Sequence, residues 1–237
     1  MSALRIALFA DLHGNRPATE ALARDLKAQR PDRVYCLGDL VGKGPSNVFT
    51  YEWSLAHANL VLGGNWDYAL GNRVFAKTDA FYVDQLGPQR LETLRRLPRE
   101  HELWLSGRRI RLFHGRPVME SLVMPHQPKE LLEPFFRDES GVSYDAVVYA
   151  DAHRQALRTL DCGLLVNIGS VGNALGVALC CYALLEGREG TQAAPFEIRL
   201  RQIEYDREQA VADARGAHGL PRGDCYIREL LTGQYSR

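Results

Sequence analysis

The stretch Leu4-Arg5-Ile6-Ala7-Leu8-Phe9-Ala10-Asp11-Leu12-His13-Gly14-Asn15 decides the fold. Leu4 to Ala10 is a compact apolar run closed by a carboxylate, the pattern of a buried strand. Pro17 then opens a helical stretch to about Gln29, with Ala18, Leu22 and Leu26 at helical spacing. Arg33 to Leu37 reads as a second strand ended by Gly38-Asp39, and Val41 to Pro45 as a loop. Asn47 to Ala58 reads as a helix, with Ser46 or Asn47 as its cap. Asn59 to Leu62 is a third strand, followed by Gly63-Gly64-Asn65. Strand, helix, strand, helix, strand implies a parallel sheet covered by helices.

Further along, Gly71 to Arg99 is polar and reads as helices joined by turns at Gly87-Pro88 and Pro98. His101 to Leu105 and Arg108 to Phe113, split by Ser106-Gly107, predict a hairpin. Pro125 to Pro134 predicts a loop with a short helix. Strands are expected at Asp145 to Tyr149, Leu164 to Ile168, Ala178 to Leu185 and Phe196 to Tyr205, with a glycine-rich turn from Gly169 to Gly176. A helix over Asp206 to Ala217, capped by Asp206, follows. With no repeat, low-complexity tract or linker, the 237 residues read as one α/β domain.

Hydrophobic residues make up 46% and charged residues 24%, values that exclude disorder along the whole chain. Lys+Arg and Asp+Glu both number 29, so a strongly basic nucleic-acid binder is not indicated. The most apolar run, Ala174 to Leu185, is short of the about 20 residues of a membrane span. The start reads as a strand entering a polar loop rather than as a signal peptide. Five cysteines without CxxC spacing read as reduced thiols, which suits the cytoplasm.

Side chains able to hold a metal recur just after the expected strands. Asp11 and His13 follow the first, Asp39 the second, and Asn65 and Asp67 the third; His114 ends the strand from Arg108, and Asp151 and His153 follow the strand to Tyr149. In open α/β sheets ligands bind beyond the carboxyl ends of strands, so these groups are expected to share one cleft. Residues i and i+2 of an extended chain point the same way, which would let Asp11 and His13, and Asp151 and His153, each reach one ion. Mixed oxygen and nitrogen donors suit manganese, iron, zinc or nickel, and the seven candidates other than Asp67 exceed what one ion needs. Two ions sharing a carboxylate can clamp a phosphoryl group. Taken singly, Asp39 also fits an ordinary turn, Asn65 a loop cap, Lys43 a solvated surface charge and Trp66 plain packing.

The ordered motifs Asp11-Leu12-His13-Gly14-Asn15, Gly38-Asp39, Gly64-Asn65-Trp66-Asp67, His114-Gly115 and Ala150-Asp151-Ala152-His153 resemble those of the calcineurin-like metallophosphoesterase superfamily. Asn167-Ile168-Gly169-Ser170-Val171-Gly172 is similar to a glycine turn of its bacterial small-phosphodiesterase branch. The resemblance implies a two-sheet α/β/β/α sandwich and a dinuclear metal-dependent phosphoesterase acting on phosphodiester or nucleotide-type substrates. It implies that Asp11, His13, Asp39 and His153 hold one ion, that Asp39 bridges, and that Asn65, His114 and Asp151 complete the second. Asp67, Asn65 and His114 are the implied catalytic residues; Asn15, Lys43 and Trp66 are candidates for substrate contact, with Arg73 and Arg116 behind them.

Two positions depart from the family pattern. Trp66 stands where Gly-Asn-His-Asp has a histidine that protonates the leaving group, and Asp151 stands where Gly-His-x-His has its first histidine. The carboxylate makes the site harder, which places manganese or iron ahead of zinc or nickel. Asp67 would orient the missing histidine and is otherwise left to brace the loop. His126 is a candidate border of the cleft. The expected partner is a small phosphorylated substrate. The alternatives are a catalytically weak binding scaffold, as in a retromer subunit of this superfamily, and a protein serine/threonine phosphatase.

Overall fold

The computed structural model describes residues 3–74 and 80–236. One five-stranded sheet contains β1 (Leu4–Phe9), β2 (Arg33–Cys36), β3 (Leu60–Val61), β9 (Cys180–Gly187) and β10 (Glu197–Ile203), in the order β10-β9-β1-β2-β3. The other contains β4 (Glu100–Leu105), β5 (Arg108–Phe113), β6 (Ala146–Tyr149), β7 (Ala156–Leu160) and β8 (Gly163–Asn167), in the order β4-β5-β6-β8-β7. The helices are α1 (Arg16–Gln29), α2 (Asn47–His57), α3 (Asn65–Gly71), α4 (Ala80–Arg96), α5 (Lys129–Leu132), α6 (Arg207–Gly216) and α7 (Gly223–Thr232).

Strand alternation sorts the core into layers. Ile6 and Leu8 of β1 point between the sheets, where they pack with Ile110, Leu112, Ala146, Val148 and Leu185. Ala7 and Phe9 point the other way, against Leu22, Tyr51, Leu86 and Leu91 of the helical layer. On the far side, Phe113, Val147 and Tyr149 meet Leu132, Phe135 and Phe136. Helices, sheet, sheet, helices is the expected α/β/β/α order.

The expected parallel arrangement holds for β1, β2 and β3, whereas β9 and β10 add antiparallel neighbours. The Ser106-Gly107 hairpin forms, both residues having positive φ as a tight two-residue turn requires. α4 breaks at Gly87, where φ is 69°. The part of the expected helical stretch at 75–79 lies outside the described residues. Asp206 caps α6 by accepting from Gln209 N at 2.9 Å. Asn47 takes a different part from the expected cap: its Oδ1 accepts from Gly42 N at 2.7 Å and its Nδ2 donates to Gly44 O at 3.0 Å, so it ties the preceding loop to α2.

Register aligns the business end of both sheets. Phe9 pairs with Cys36 and Cys36 with Val61, so the loops after β1, β2 and β3 leave the sheet side by side. Leu112 pairs with Val148, which does the same for β5 and β6. The glycine turn after β8 locks the first of these loops. Val171 N and Gly172 N donate to Ala10 O and Asp11 O at 3.0 and 2.8 Å, and Ser170 Oγ donates to Asp11 O at 2.9 Å. A Cβ on Gly172 would lie 1.9 Å from Leu12 O. Gly172→Ala should therefore force two backbone segments apart and cost about 3 kcal/mol, the upper part of the range for overpacking. At this chain length that is a fall in melting temperature of roughly 6 °C or more, readable by calorimetry. An unchanged melting temperature would show that the contact yields freely.

Candidate metal centre

Three imidazoles and two carboxylates meet where the sheets' carboxyl ends converge, all fully or nearly fully buried. His153 Nε2 lies 3.1 Å from both Asp11 Oδ1 and His13 Nε2. Asp39 Oδ2 lies 3.5 Å from His13 Nε2 and 3.5 Å from His114 Nε2, between the two rings. Asp11, His13 and His153 form one group of close donor atoms, and Asp11, Asp39 and His114 a second.

Each imidazole is turned by a backbone carbonyl. Nδ1 of His13, His114 and His153 faces Val41 O at 3.0 Å, Leu37 O at 3.0 Å and Asn173 O at 2.6 Å. A carbonyl can only accept, so Nδ1 carries a proton and Nε2 is the nitrogen turned inward, its lone pair available whenever the ring is neutral. Two such lone pairs 3.1 Å apart, on His13 and His153, repel unless a cation or proton sits between them. Both Asp11 oxygens, Asn65 Oδ1 and His114 Nε2 are buried with no hydrogen-bond partner, although Asp11 Oδ1 is near His153. Orphaned buried acceptors are costly. A donor set of oxygen and imidazole nitrogen fits divalent transition metals, and these residues fit such ions at both groups.

The two buried carboxylates attract positive charge to this centre, whether from a proton on His114 or from a cation. Burial disfavours charge on Asp11, but His153 and His114 outweigh it and hold the carboxyl well below its ordinary range. Burial likewise opposes charge on Asp39, and His114 overcomes it. Burial disfavours protonated His114, yet Asp39 and Asp11 raise its pKa to about 10. Burial and the Lys43 ammonium lower His13 to about 4.

The backbone is unusual at the same positions. Among the described residues, ten non-glycine residues have positive φ, and Asp11, His13, Asp39, Lys43, Asp151 and His153 are six of them. Sparsely populated conformations of this kind concentrate at functional sites. They also correct the extended-chain expectation. Asp11 and His13, at φ 57° and 46°, converge through a tight turn and not by alternation; Asp151 and His153, at 62° and 55°, share the positive φ, but only His153 joins a donor group.

The remaining candidates separate. Asn65 opens α3 and lines the cleft with Lys43, Trp66, Arg116 and Asp151. Asp67 turns away: its Oδ2 accepts from Asp39 N and Gly64 N at 2.7 and 2.9 Å, and its Oδ1 from Leu40 N at 3.0 Å. Burial and the Asp39 charge push it up to about 8. Its place is to brace the Asp39 loop, and it does not line the cleft, which departs from the catalytic role expected of it. Asn15 is also committed elsewhere. It caps α1 through Ala18 N at 3.1 Å, donates to Gly172 O at 2.8 Å, and is absent from the cleft lining where a substrate contact was expected.

Lys43 is buried, against the solvated-charge reading, and donates to Asn173 Oδ1 at 2.7 Å. Trp66 packs edge-on to His13 and Tyr82, at centroid distances of 5.9 and 5.6 Å, and its ring walls the cleft. Arg73 lies outside the lining, and His126 borders a neighbouring, smaller hollow. Asp151 is near the second group, its Oδ1 4.0 Å from His114 Nε2, but both its oxygens are held by Arg116. Sequence reasoning missed Asn173, which orients His153 and Lys43; its only signal was adjacency to the Gly172 turn. It also missed the cleft's apolar walls, Tyr82, Met124, Leu175 and Tyr235, around a cavity of about 990 Å³.

The calcineurin-like phosphoesterase superfamily domain matches residues 4–190. The chain belongs to that superfamily. An uncharacterised protein of Methanocaldococcus jannaschii is 23% identical over 235 residues, covering 86% of this chain and 89% of its own. The crystal structure of a metallophosphoesterase from Sphaerobacter thermophilus superposes with a TM-score of 0.76 at 23% identity, over 98% of this chain and all of that one. A zinc complex of Vps29 from Entamoeba histolytica superposes less closely, with a TM-score of 0.51 at 16% identity, over 84% of this chain and 99% of that one. Among the described residues no helix is long and apolar enough to cross a membrane. The family is metal-dependent, and the two buried Asp/His groups are where this chain could hold metal.

Proposed function

We propose that this protein is a dinuclear metal-dependent phosphoesterase that hydrolyses phosphodiester or nucleotide-type substrates. The observation that carries the reading is the inward convergence of three Nε2 atoms on two buried carboxylates, with Asn65 Oδ1 and both Asp11 oxygens orphaned beside them. His13, His153 and Asp11 would hold one ion, His114 and Asn65 the other, and Asp39 would touch both. When bound, such ions polarise a phosphoryl oxygen and lower the pKa of water. The mixed carboxylate, amide and imidazole donors suit manganese, iron, zinc or nickel, and manganese or iron is the pair expected here.

The chain's own groups do the rest. The carbonyls of Val41, Leu37 and Asn173 fix the three rings in one tautomer. Asp67 fixes Asp39 through its backbone amide. Lys43 and Arg116 bring positive charge to the cleft that receives the phosphate. Trp66, Tyr82, Met124, Leu175 and Tyr235 offer apolar and aromatic surface, which favours an ester with a bulky, flat group over a small one.

Trp66, in place of an acid, favours a second reading as a binding scaffold without turnover. One experiment separates the two: strip the protein with a chelator, reload it with manganese or ferrous ion, then measure bound metal and hydrolysis of bis-nitrophenyl phosphate. The enzyme reading expects activity lost on stripping and regained with two ions per chain. Two bound ions with no hydrolysis would establish the scaffold.

A further inference from the structure

We propose that Asp151 is the anchor of Arg116 rather than a metal ligand, and that Arg116 is a phosphate-binding arm on the His114–Asn65 side of the cleft. The inference rests on the phosphoesterase reading and specifies how that site takes its substrate.

The sheet creates the pair. β5 and β6 are parallel neighbours with Leu112 opposite Val148, and Ala150 N donates to His114 O at 2.8 Å, so the loops carrying Arg116 and Asp151 run together. Asp151 Oδ2 accepts from Arg116 N at 3.0 Å and from Nε at 2.8 Å; Oδ1 accepts from Nη2 at 2.7 Å. This is the two-pronged guanidinium–carboxylate geometry that fixes orientation as well as charge. Gly115 makes room for it. With φ at 139°, its missing Cβ would lie 2.7 Å from Asp151 Cβ and 2.9 Å from Oδ2. The carboxylate is thus seated against the chain at a position where only glycine fits.

Burial divides the labour. The Asp151 side chain is 4% exposed, whereas that of Arg116 is 36% exposed and reaches the cleft beside Asn65, Trp66 and Asp39. Arginine has five N–H bonds, of which Asp151 takes two. The other three lie on the remaining edges of the guanidinium, and no hydrogen bond among the described residues engages them. Asp151 Oδ1 is 4.0 Å from His114 Nε2, which puts the guanidinium next to the second donor group. An ion taken by that same oxygen would face a cation on it. A phosphate arriving there would instead meet a planar fork suited to two of its oxygens. Asp151 acts through Arg116 and is a positioning residue; Arg116 is the group that touches substrate.

The test uses the full chain loaded with manganese, in Asp151→Ala, Arg116→Ala, Arg116→Lys and the Asp151→Ala/Arg116→Ala double variant. Elemental analysis reads the metal, and calorimetric titration with inorganic phosphate reads the arm. Expected are wild-type metal in all four and phosphate affinity lower by about 10–100-fold in Arg116→Ala, the loss of charged hydrogen bonds. Arg116→Lys should fall between, and the double variant should be no weaker than Arg116→Ala. Loss of about one metal equivalent in Asp151→Ala, with Arg116→Ala unaffected, would overturn the proposal, as would wild-type phosphate affinity in Arg116→Ala. Should Asp151→Ala not fold, the two Arg116 single variants decide it alone. A wild-type chain that takes up no metal would overturn the phosphoesterase reading itself, and this proposal with it.

Discussion

Asp39→Ala should purify folded but nearly empty of metal, having lost both ions and not one. The reason is geometric. Asp39 Oδ2 is equally placed, 3.5 Å from His13 Nε2 and from His114 Nε2, and sits between the two donor groups. With two ions held as proposed, removing it would take an oxygen from each and leave them no shared Asp39 carboxylate. Asp39 Oδ1 also accepts from Trp66 N at 2.8 Å, so alanine loosens the start of α3 as well. The Asp67 brace survives, because it binds the Asp39 amide and not its side chain. Affinity at both positions should fall by more than the about 10–100-fold typical of losing support around a metal. Elemental analysis, with circular dichroism to confirm folding, reads the result. One retained equivalent would assign Asp39 to a single site and move the bridging role to Asp11, whose atoms fall in both donor groups.

The sequence made the strands and the loops after them legible because both follow local rules. Ile6 to Ala10 is continuous and apolar since both faces of β1 are covered there, and Gly38-Asp39 or Gly64-Asn65 punctuates a strand end wherever the chain must turn. Other parts depended on partners far along the chain. β7, with the alternating and half-exposed Ala156–Leu160, gains strand form only by pairing with β8. α3 starts inside what reads as a glycine loop, and α7 follows a turn at Pro221-Arg222 that gives no helix signal. Asn15 and Asp67 looked like site residues because they stand inside site motifs; the structure shows motif positions spent on capping and bracing. The pairing of Asp151 with Arg116, 35 residues away, follows no sequence rule and was not legible.

Trp66 offers the other large effect. Indole Nε1–H donates hydrogen bonds but is no acid at working pH, so Trp66 cannot protonate a departing oxygen. Across a series of aryl and alkyl phosphodiesters, wild-type kcat/KM should therefore fall steeply as the leaving-group pKa rises. Trp66→His places an imidazole at the cleft wall and should flatten that slope, raising the rate for the poorest leaving groups by a share of the about 10²–10⁴-fold that a general acid supplies. The share is set by what holds the new ring. Asp67 cannot reach out to orient it, since its oxygens accept from Asp39, Leu40 and Gly64 amides. Tyr82 and His13, which now meet the indole edge-on, would have to hold it instead. Losing the indole also opens space over Gly42, so a lower melting temperature should accompany the gain. The measurement is kcat/KM for both proteins over the whole series at fixed manganese. A flat slope in the wild type would mean that a proton donor is already present. Lys43, buried in the cleft lining, would then be the residue to replace first, because His126 borders a different hollow.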